Sequence, residues 1–151
     1  MEPQSRMRGA PGNALFIALL AMFIGHELEA VAQHEWRLLY VLRAMPDALA
    51  QDIFVLAHVP IVFLLVWLGW HSAERVRSVT RVGCAVFMVV HAGLHWRLRE
   101  DPLYTFHSAT SIFLIFGSLV PAVSLLALYL APRRKRATPP AGTARTSRAS
   151  R

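Results

Sequence analysis

Four long apolar runs constrain the fold of this chain more than any other feature of its sequence. They fall at about residues 14–34, 53–70, 79–96 and 111–130, and 55% of all residues are hydrophobic. A helix needs about 20 apolar residues to cross roughly 30 Å of hydrocarbon. Because backbone in lipid must satisfy its own hydrogen bonds, these runs are expected to be α-helices. The sequence therefore predicts an all-α integral membrane four-helix bundle over residues 13–131.

The two ends of the chain are predicted to be disordered. Residues 1–12 form a short N-terminal segment, and residues 132–151 form a basic tail that carries seven of the sixteen Lys and Arg residues. With these helices, twelve basic residues fall on one side of the membrane and four on the other, so both termini are expected to be cytoplasmic. We expect a multi-pass protein of the bacterial inner membrane, in contact with the lipid bilayer and not with nucleic acid. Association with further copies of the chain is left open.

The first apolar run also has features of a secretory signal peptide. Arg6 and Arg8 precede it, and Ala30-Val31-Ala32 resembles a cleavage site. His26, Glu27 and Glu29 would crowd the region before that cut. We therefore expect the first run to be retained as a membrane span.

Six of the seven histidines are predicted to lie at one depth, in the outer half of the bundle. Their positions alternate between spans in a way that brings them to the same side as two carboxylates. The set consists of His26, His34, His58, His91, His95, His107, Glu27 and Glu29. Because ionisable residues are costly in hydrocarbon, such a group indicates a functional site.

The spacing of these residues is typical of metal ligands. His91 and His95 are one helical turn apart, and His26 and Glu29 have the i, i+3 spacing of carboxylate-bridged metal bundles. If the first helix continues through His34, then His26, Glu29, Gln33 and Arg37 form one stripe. The predicted ligands are His26, Glu29, His58, His91 and His95, with Glu27, Gln33, His34 and His107 around them. This donor set suits zinc, iron or manganese.

Several short stretches resemble a family of uncharacterised small bacterial membrane proteins. These stretches are His26-Glu27-Leu28-Glu29-Ala30, His34-Glu35-Trp36-Arg37, the segment 54–60, and His91-Ala92-Gly93-Leu94-His95-Trp96. They are similar to the proteins named for an HxxEE motif and to related four-span proteins with HELxA…HEW. Ala30 stands where the HxxEE pattern has its second glutamate, so the second group is the better match. The resemblance implies metal binding or catalysis but no particular activity.

The sequence leaves three functions open. The first is a membrane metalloenzyme acting on a lipid-soluble substrate, with Glu27 or Glu29 as general base. The second is a b-type cytochrome in which His58 pairs with His91 or His95 on haem. The third is a non-catalytic protein that handles protons or metal ions. A purely structural hydrogen-bond network among the histidines is the alternative to all three.

Overall fold

The computed structural model describes residues 3–131, and every regular element within them is helical. The α-helices are α1 (Pro3–Ala32), α2 (Asp47–Gly69), α3 (Glu74–Leu98), α4 (Ala109–Gly117) and α5 (Leu119–Leu130). Two short 3-10 turns, Glu35–Arg37 and Leu42–Ala44, lie between α1 and α2. The basic tail predicted at 132–151 lies outside the described residues.

Four helical segments are long and apolar enough to cross a membrane. They are Gly9–Ala32, Asp47–Gly69, Glu74–Leu98 and Ala109–Leu130. The fourth combines α4 and α5, which are divided at Ser118. Pro121 has no N–H to donate to the carbonyl of Gly117, so the helical ladder is interrupted there. The all-helical architecture predicted from the sequence is confirmed, and it fits a small multi-pass membrane protein.

The helices begin earlier than the apolar runs do. α1 starts at Pro3, so the part of the predicted disordered segment that the structure describes is helical. Proline is accepted in a first turn because its missing N–H would have no helical partner there. α2 and α3 begin at Asp47 and Glu74, each of which places a carboxylate at the positive end of its helix.

Two apolar clusters form the core of the described residues, and His26 lies between them along α1. One cluster contains Phe16, Leu19, Leu20, Phe23, Cys84, Ala85, Met88, Ala122 and Leu125. The other contains Ala30, Trp36, Ala50, Phe54, Ala92, Tyr104, Phe106 and Ile115. Along α1, His26 comes between Phe23 and Ala30, so it is enclosed on both sides by well-packed apolar residues.

Candidate metal centre

α1 ends in a reversal that brings the chain back against the bundle. His34 has φ 57° and ψ 43°, and it is the only non-glycine residue with positive φ in the described part of the chain. Histidine is enriched among the non-glycine residues that adopt this left-handed conformation. The 3-10 turn that follows has Glu35 and Trp36 buried. The reversal therefore directs the Glu35 side chain inwards.

The 3-10 turn is fastened to the start of α2 by Asp47. Arg37 donates to both carboxylate oxygens of Asp47, at 2.8 and 2.7 Å. The Trp36 indole nitrogen donates to Asp47 Oδ1 at 2.9 Å. Paired Arg–carboxylate bonds of this kind fix orientation as well as position. Asp47 thus holds the residues on the C-terminal side of Glu35 in a defined place.

Three histidines from α1 and α3 meet through their Nε2 atoms. The Nε2 atoms of His26 and His91 are 2.8 Å apart, and those of His91 and His95 are 3.1 Å apart. His91 and His95 share one face of α3 because they are one turn apart. Three ring nitrogens in such close contact require a shared proton or a bound cation between them.

Glu35 completes the group with a carboxylate. Its Oε2 is 3.4 Å from His26 Nε2, and its Oε1 is 3.6 Å from His95 Nε2 and 4.0 Å from His91 Nε2. Burial by itself would raise the pKa of Glu35, but hydrogen bonds from His26 and His95 outweigh it and hold that pKa well below its ordinary value. The carboxylate is therefore ionised and faces three potential nitrogen donors.

These separations fit a four-coordinate metal ion. One ligand atom from each of His26, Glu35, His91 and His95 lies within 4.8 Å of the others. Tetrahedral zinc, with bonds of about 2.0–2.1 Å, places its ligand atoms about 3.3 Å apart. The measured contacts of 2.8–4.0 Å scatter around that value. A metal ion would thus be accommodated by small side-chain movements without rearrangement of the helices.

The loop between α3 and α4 covers the group with aromatic rings. The Phe106 ring centroid is 4.8 Å from that of His95 and 5.7 Å from that of His26. The Tyr104 hydroxyl lies 3.2 Å from His95 Nδ1. If His95 Nε2 bound a metal, Nδ1 would carry the proton and donate a hydrogen bond to the Tyr104 hydroxyl, which would fix the ring orientation. Burial raises the pKa of Tyr104, and the nearby negative charges of Glu35 and Glu29 raise it further.

The group is closed on most sides. His26 is fully buried, and His95 and Glu35 are only 3% and 6% exposed. The side chain of His91 is 13% exposed and its ring stacks on Phe87. Access to the site is therefore on the His91 side.

The structure distributes the other predicted site residues around this group. His58 and Glu27 form a separate pair, with His58 Nε2 2.8 Å from Glu27 Oε2. Glu29 accepts hydrogen bonds from the hydroxyls of Ser108 and Ser111 at the start of α4. Neither Glu29 nor His58 belongs to the group of four potential ligands.

The remaining three predicted residues lie further out. His34 is exposed, with its ring centroid 5.0 Å from that of Trp36. His107 is also exposed and its Nε2 donates to the Tyr104 carbonyl at 3.1 Å. Gln33 accepts a bond from the Thr105 hydroxyl through its backbone carbonyl, at 2.8 Å. These contacts hold the two connecting loops near the site.

Glu35 is the potential ligand that the sequence analysis did not select. The sequence predicts a first helix that continues through His34. In such a helix Glu35 would lie at the outer end, and Arg37 would share a face with His26 and Glu29. The left-handed residue at position 34 overturns that expectation. The signal in the sequence was the run His34-Glu35-Trp36, in which an acidic residue stands beside a histidine and a tryptophan at the end of an apolar span.

A comparison with protein families identifies the group to which the chain belongs. The model of DUF6713, a family of unknown function, matches residues 12–132, and the chain therefore belongs to that family. This match covers three candidate spans in full and all but the first three residues of Gly9–Ala32. No match was found among curated proteins or among solved structures.

Proposed function

We propose that this member of the DUF6713 family is an integral membrane metalloprotein that holds one divalent transition-metal ion. His26, His91, His95 and Glu35 are its ligands. The observation that supports the proposal is the convergence of three imidazole nitrogens and one carboxylate within 4.8 Å in a buried site. Buried charges are costly unless they are paired or coordinate a metal, and a bound cation would satisfy all four groups at once.

Zinc, iron and manganese are the metals that suit this donor set. Imidazole binds zinc and iron well, and a carboxylate extends the choice to manganese. Cys84, the single cysteine, is buried in the other apolar cluster and is not one of the four ligands. The proposed site therefore contains no thiolate, and a thiolate-preferring ion such as Cu(I) is not favoured.

In its catalytic form, the proposal is a metalloenzyme that acts on a lipid-soluble substrate. A metal bound here would supply Lewis-acid chemistry, and to activate water or oxygen it would have to accept a fifth ligand beside the four residues. Of the two carboxylates predicted as general base, Glu27 has the better position, because it pairs with His58 and borders a groove between α1 and α2. Glu29 is engaged by two serine hydroxyls.

A proton-handling protein is the second candidate. Its support is the continuous chain of contacts from Glu35 through His26, His91 and His95 to Tyr104. Haem with His58 and either His91 or His95 as axial pair is not favoured, because His58 Nε2 contacts Glu27 at 2.8 Å and the Nε2 atoms of His91 and His95 contact each other at 3.1 Å. Metal content distinguishes the first candidate from the second.

We also propose that both termini are cytoplasmic and that the histidines lie in the outer half of a bacterial inner membrane. The twelve-to-four distribution of basic residues supports this orientation. A fluorescent protein fused to the C-terminus is expected to fluoresce, and a phosphatase that needs the periplasm is expected to be inactive there. The reverse pattern would contradict the orientation. A relationship to the HxxEE-type proteins is likewise proposed on the quoted stretches alone.

Elemental analysis of the purified, detergent-solubilised protein tests the metal proposal. We expect about one zinc, iron or manganese per chain, and its loss in a His91→Ala/His95→Ala double variant. A His71→Ala variant is the control, since it also loses a histidine but none of the four ligands. Equal metal content in the two variants, or none in the unmodified protein, would contradict the proposal.

A further inference from the structure

A groove of about 510 Å³ separates α1 from α2. α2 packs mainly against α3, and it is the least buried of the four spans: 11% of its most apolar window is buried, against 33% in each of the others. The volume lies in the range of about 300–1,000 Å³ that is usual for ligand sites. Apolar side chains form most of its walls, among them Ile24, Leu28, Val31, Val55, Val59 and Phe63.

Among residues 3–131, the only ionisable side chains lining this groove are those of Glu27 and His58, which form a bridge across it. His58 Nδ1 donates to the Phe54 carbonyl at 2.6 Å, so Nδ1 carries a proton. The contact of 2.8 Å between His58 Nε2 and Glu27 Oε2 then requires one further proton on either atom. The pair is partly open, with 23% of the His58 side chain and 13% of the Glu27 side chain exposed.

Contact with hydrocarbon alone would be unfavourable for the Glu27–His58 pair. Ionisable groups inside a membrane normally face a partner or a polar ligand, because leaving them against lipid tails is costly. No described side chain donates to Oε1, the second carboxylate oxygen of Glu27, so it is available to accept a hydrogen bond. The occupant that fits is a molecule with a long apolar chain and a hydroxyl at the level of this pair.

We propose that the groove between α1 and α2 binds a long-chain lipid that carries a hydroxyl group. The hydroxyl donates to Glu27 Oε1, and the chain lies along Ile24, Val59 and Phe63. This inference names the substrate class for the proposed membrane metalloprotein and rests on its membrane placement. It does not require a bound metal.

The level of the pair in the groove agrees with this arrangement. Val31 and Phe54 mark the end of the groove nearest the 3-10 turn Glu35–Arg37, and Glu27 and His58 lie four residues deeper, about 6 Å along the helices. Phe63 lies five residues further along α2, towards the other end. A lipid from the leaflet on the side of the 3-10 turn would therefore place its polar end near the pair and its chain towards the bilayer centre.

The groove also comes close to the metal centre. Glu27 follows His26 directly in α1, so the two sites lie on neighbouring faces of one helix turn. Phe54, which lines the groove, has its ring centroid 6.0 Å from that of Trp36, the residue after Glu35. A hydroxyl bound at Glu27 would thus lie within one helix diameter of the four proposed ligands.

Photolabelling in phosphatidylcholine vesicles tests the inference. The probe is a long-chain fatty alcohol with a mid-chain diazirine, and the labelled residues are mapped by mass spectrometry. We expect saturable labelling of groove residues such as Ile24 and Phe63, and its loss in Val59→Trp, which fills the groove. Val90→Trp is the matched control, because Val90 is an exposed valine on α3 that does not line the groove.

Competition measures the contribution of the hydroxyl. One hydrogen bond contributes about 0.5–1.5 kcal/mol, so an unlabelled alcohol should compete about two- to tenfold better than the alkane of equal length. In Glu27→Leu this preference should disappear. Equal labelling of the groove in Val59→Trp and Val90→Trp, or equal competition by alcohol and alkane, would overturn the inference.

Metal content measured on the same samples separates this inference from the proposed function. Saturable labelling of protein that contains no metal would support the lipid site and contradict the metal centre. Stoichiometric metal with non-specific labelling would support the metal centre and contradict the lipid site.

Discussion

At the residue scale, Glu35 determines the charge of the proposed site. Three neutral imidazoles leave the charge of a divalent ion uncompensated, and the ionised Glu35 carboxylate reduces it by one. The site is almost fully buried, so this compensation occurs where water contributes little screening. The low pKa of Glu35 means that the carboxylate need not lose a proton when the metal binds.

Replacing this carboxylate should weaken metal binding strongly. We expect Glu35→Gln to lower the affinity at least about tenfold, since loss of even an outer partner of a ligand typically costs ten- to a hundredfold. Competition with a chelator measures the change. Glu100→Gln is the control, because the Glu100 side chain is 83% exposed and pairs only with Arg99. Equal affinities in the two variants would exclude Glu35 as a ligand.

Replacing Glu29 should lower the stability of the protein and leave its metal content unchanged. Glu29→Ala removes the acceptor for the Ser108 and Ser111 hydroxyls, and a lost buried partner typically costs about 1–3 kcal/mol of stability. We expect a lower unfolding temperature with metal stoichiometry unchanged. Thermal unfolding in detergent and elemental analysis of the same variant check both parts. Loss of the metal at unchanged stability would contradict this expectation and indicate that Glu29 is a ligand, as the sequence analysis predicted.

At the scale of elements, the proposed metal site depends on a turn that is three residues long. The side chains of Trp36 and Arg37 fasten the 3-10 turn Glu35–Arg37 to the start of α2. Asp47 makes those contacts without touching the histidines. It acts as a positioning residue for Glu35.

Weakening this anchor should therefore reduce metal affinity from a distance. We expect Asp47→Asn to lower the affinity several-fold, less than Glu35→Gln does, because the turn loosens while all four ligands remain. The same chelator competition measures it, with Asp52→Asn on the exposed side of α2 as control. Raising the metal concentration should restore full occupancy. An affinity indistinguishable from that of Asp52→Asn would show that the anchor is not needed.

The helical elements were predictable from the sequence, but the end of α1 was not. Apolar runs fix the existence of helices because lipid leaves the backbone no other choice. Three potential ligands, His26, His91 and His95, followed from depth and helical spacing. Glu35 did not, since its position depends on the left-handed conformation of His34, and helical periodicity contains no information about where a helix stops. Glu29 has ligand spacing, but α4 supplies it with serine hydroxyls instead.

At the scale of the whole molecule, the proposed metal site joins separate parts of the bundle. The four potential ligands come from α1, α3 and the first connecting turn. A bound ion would therefore cross-link these three segments. Binding that favours the folded state stabilises it by mass action, so metal removal should lower the unfolding temperature.

Acid should release the metal. Protons compete with the ion for the histidine nitrogens, so affinity falls as the pH falls. The pKa of Glu35 is already held well below its ordinary value, so its carboxylate stays ionised over this range and contributes little to the pH dependence. Glu35→Gln should therefore weaken binding while preserving the slope of affinity against pH. A slope that becomes clearly shallower in this variant would show that Glu35 itself takes up a proton.

The most direct test of the metal centre is X-ray absorption spectroscopy of the zinc-loaded protein in detergent. The proposed site predicts three imidazole nitrogens and one carboxylate oxygen at about 2.0–2.1 Å, without sulfur. His91→Ala should reduce the imidazole signal by one ring if the ion is retained. A spectrum with fewer than three imidazoles, or with a sulfur ligand, would contradict the assignment of His26, His91, His95 and Glu35.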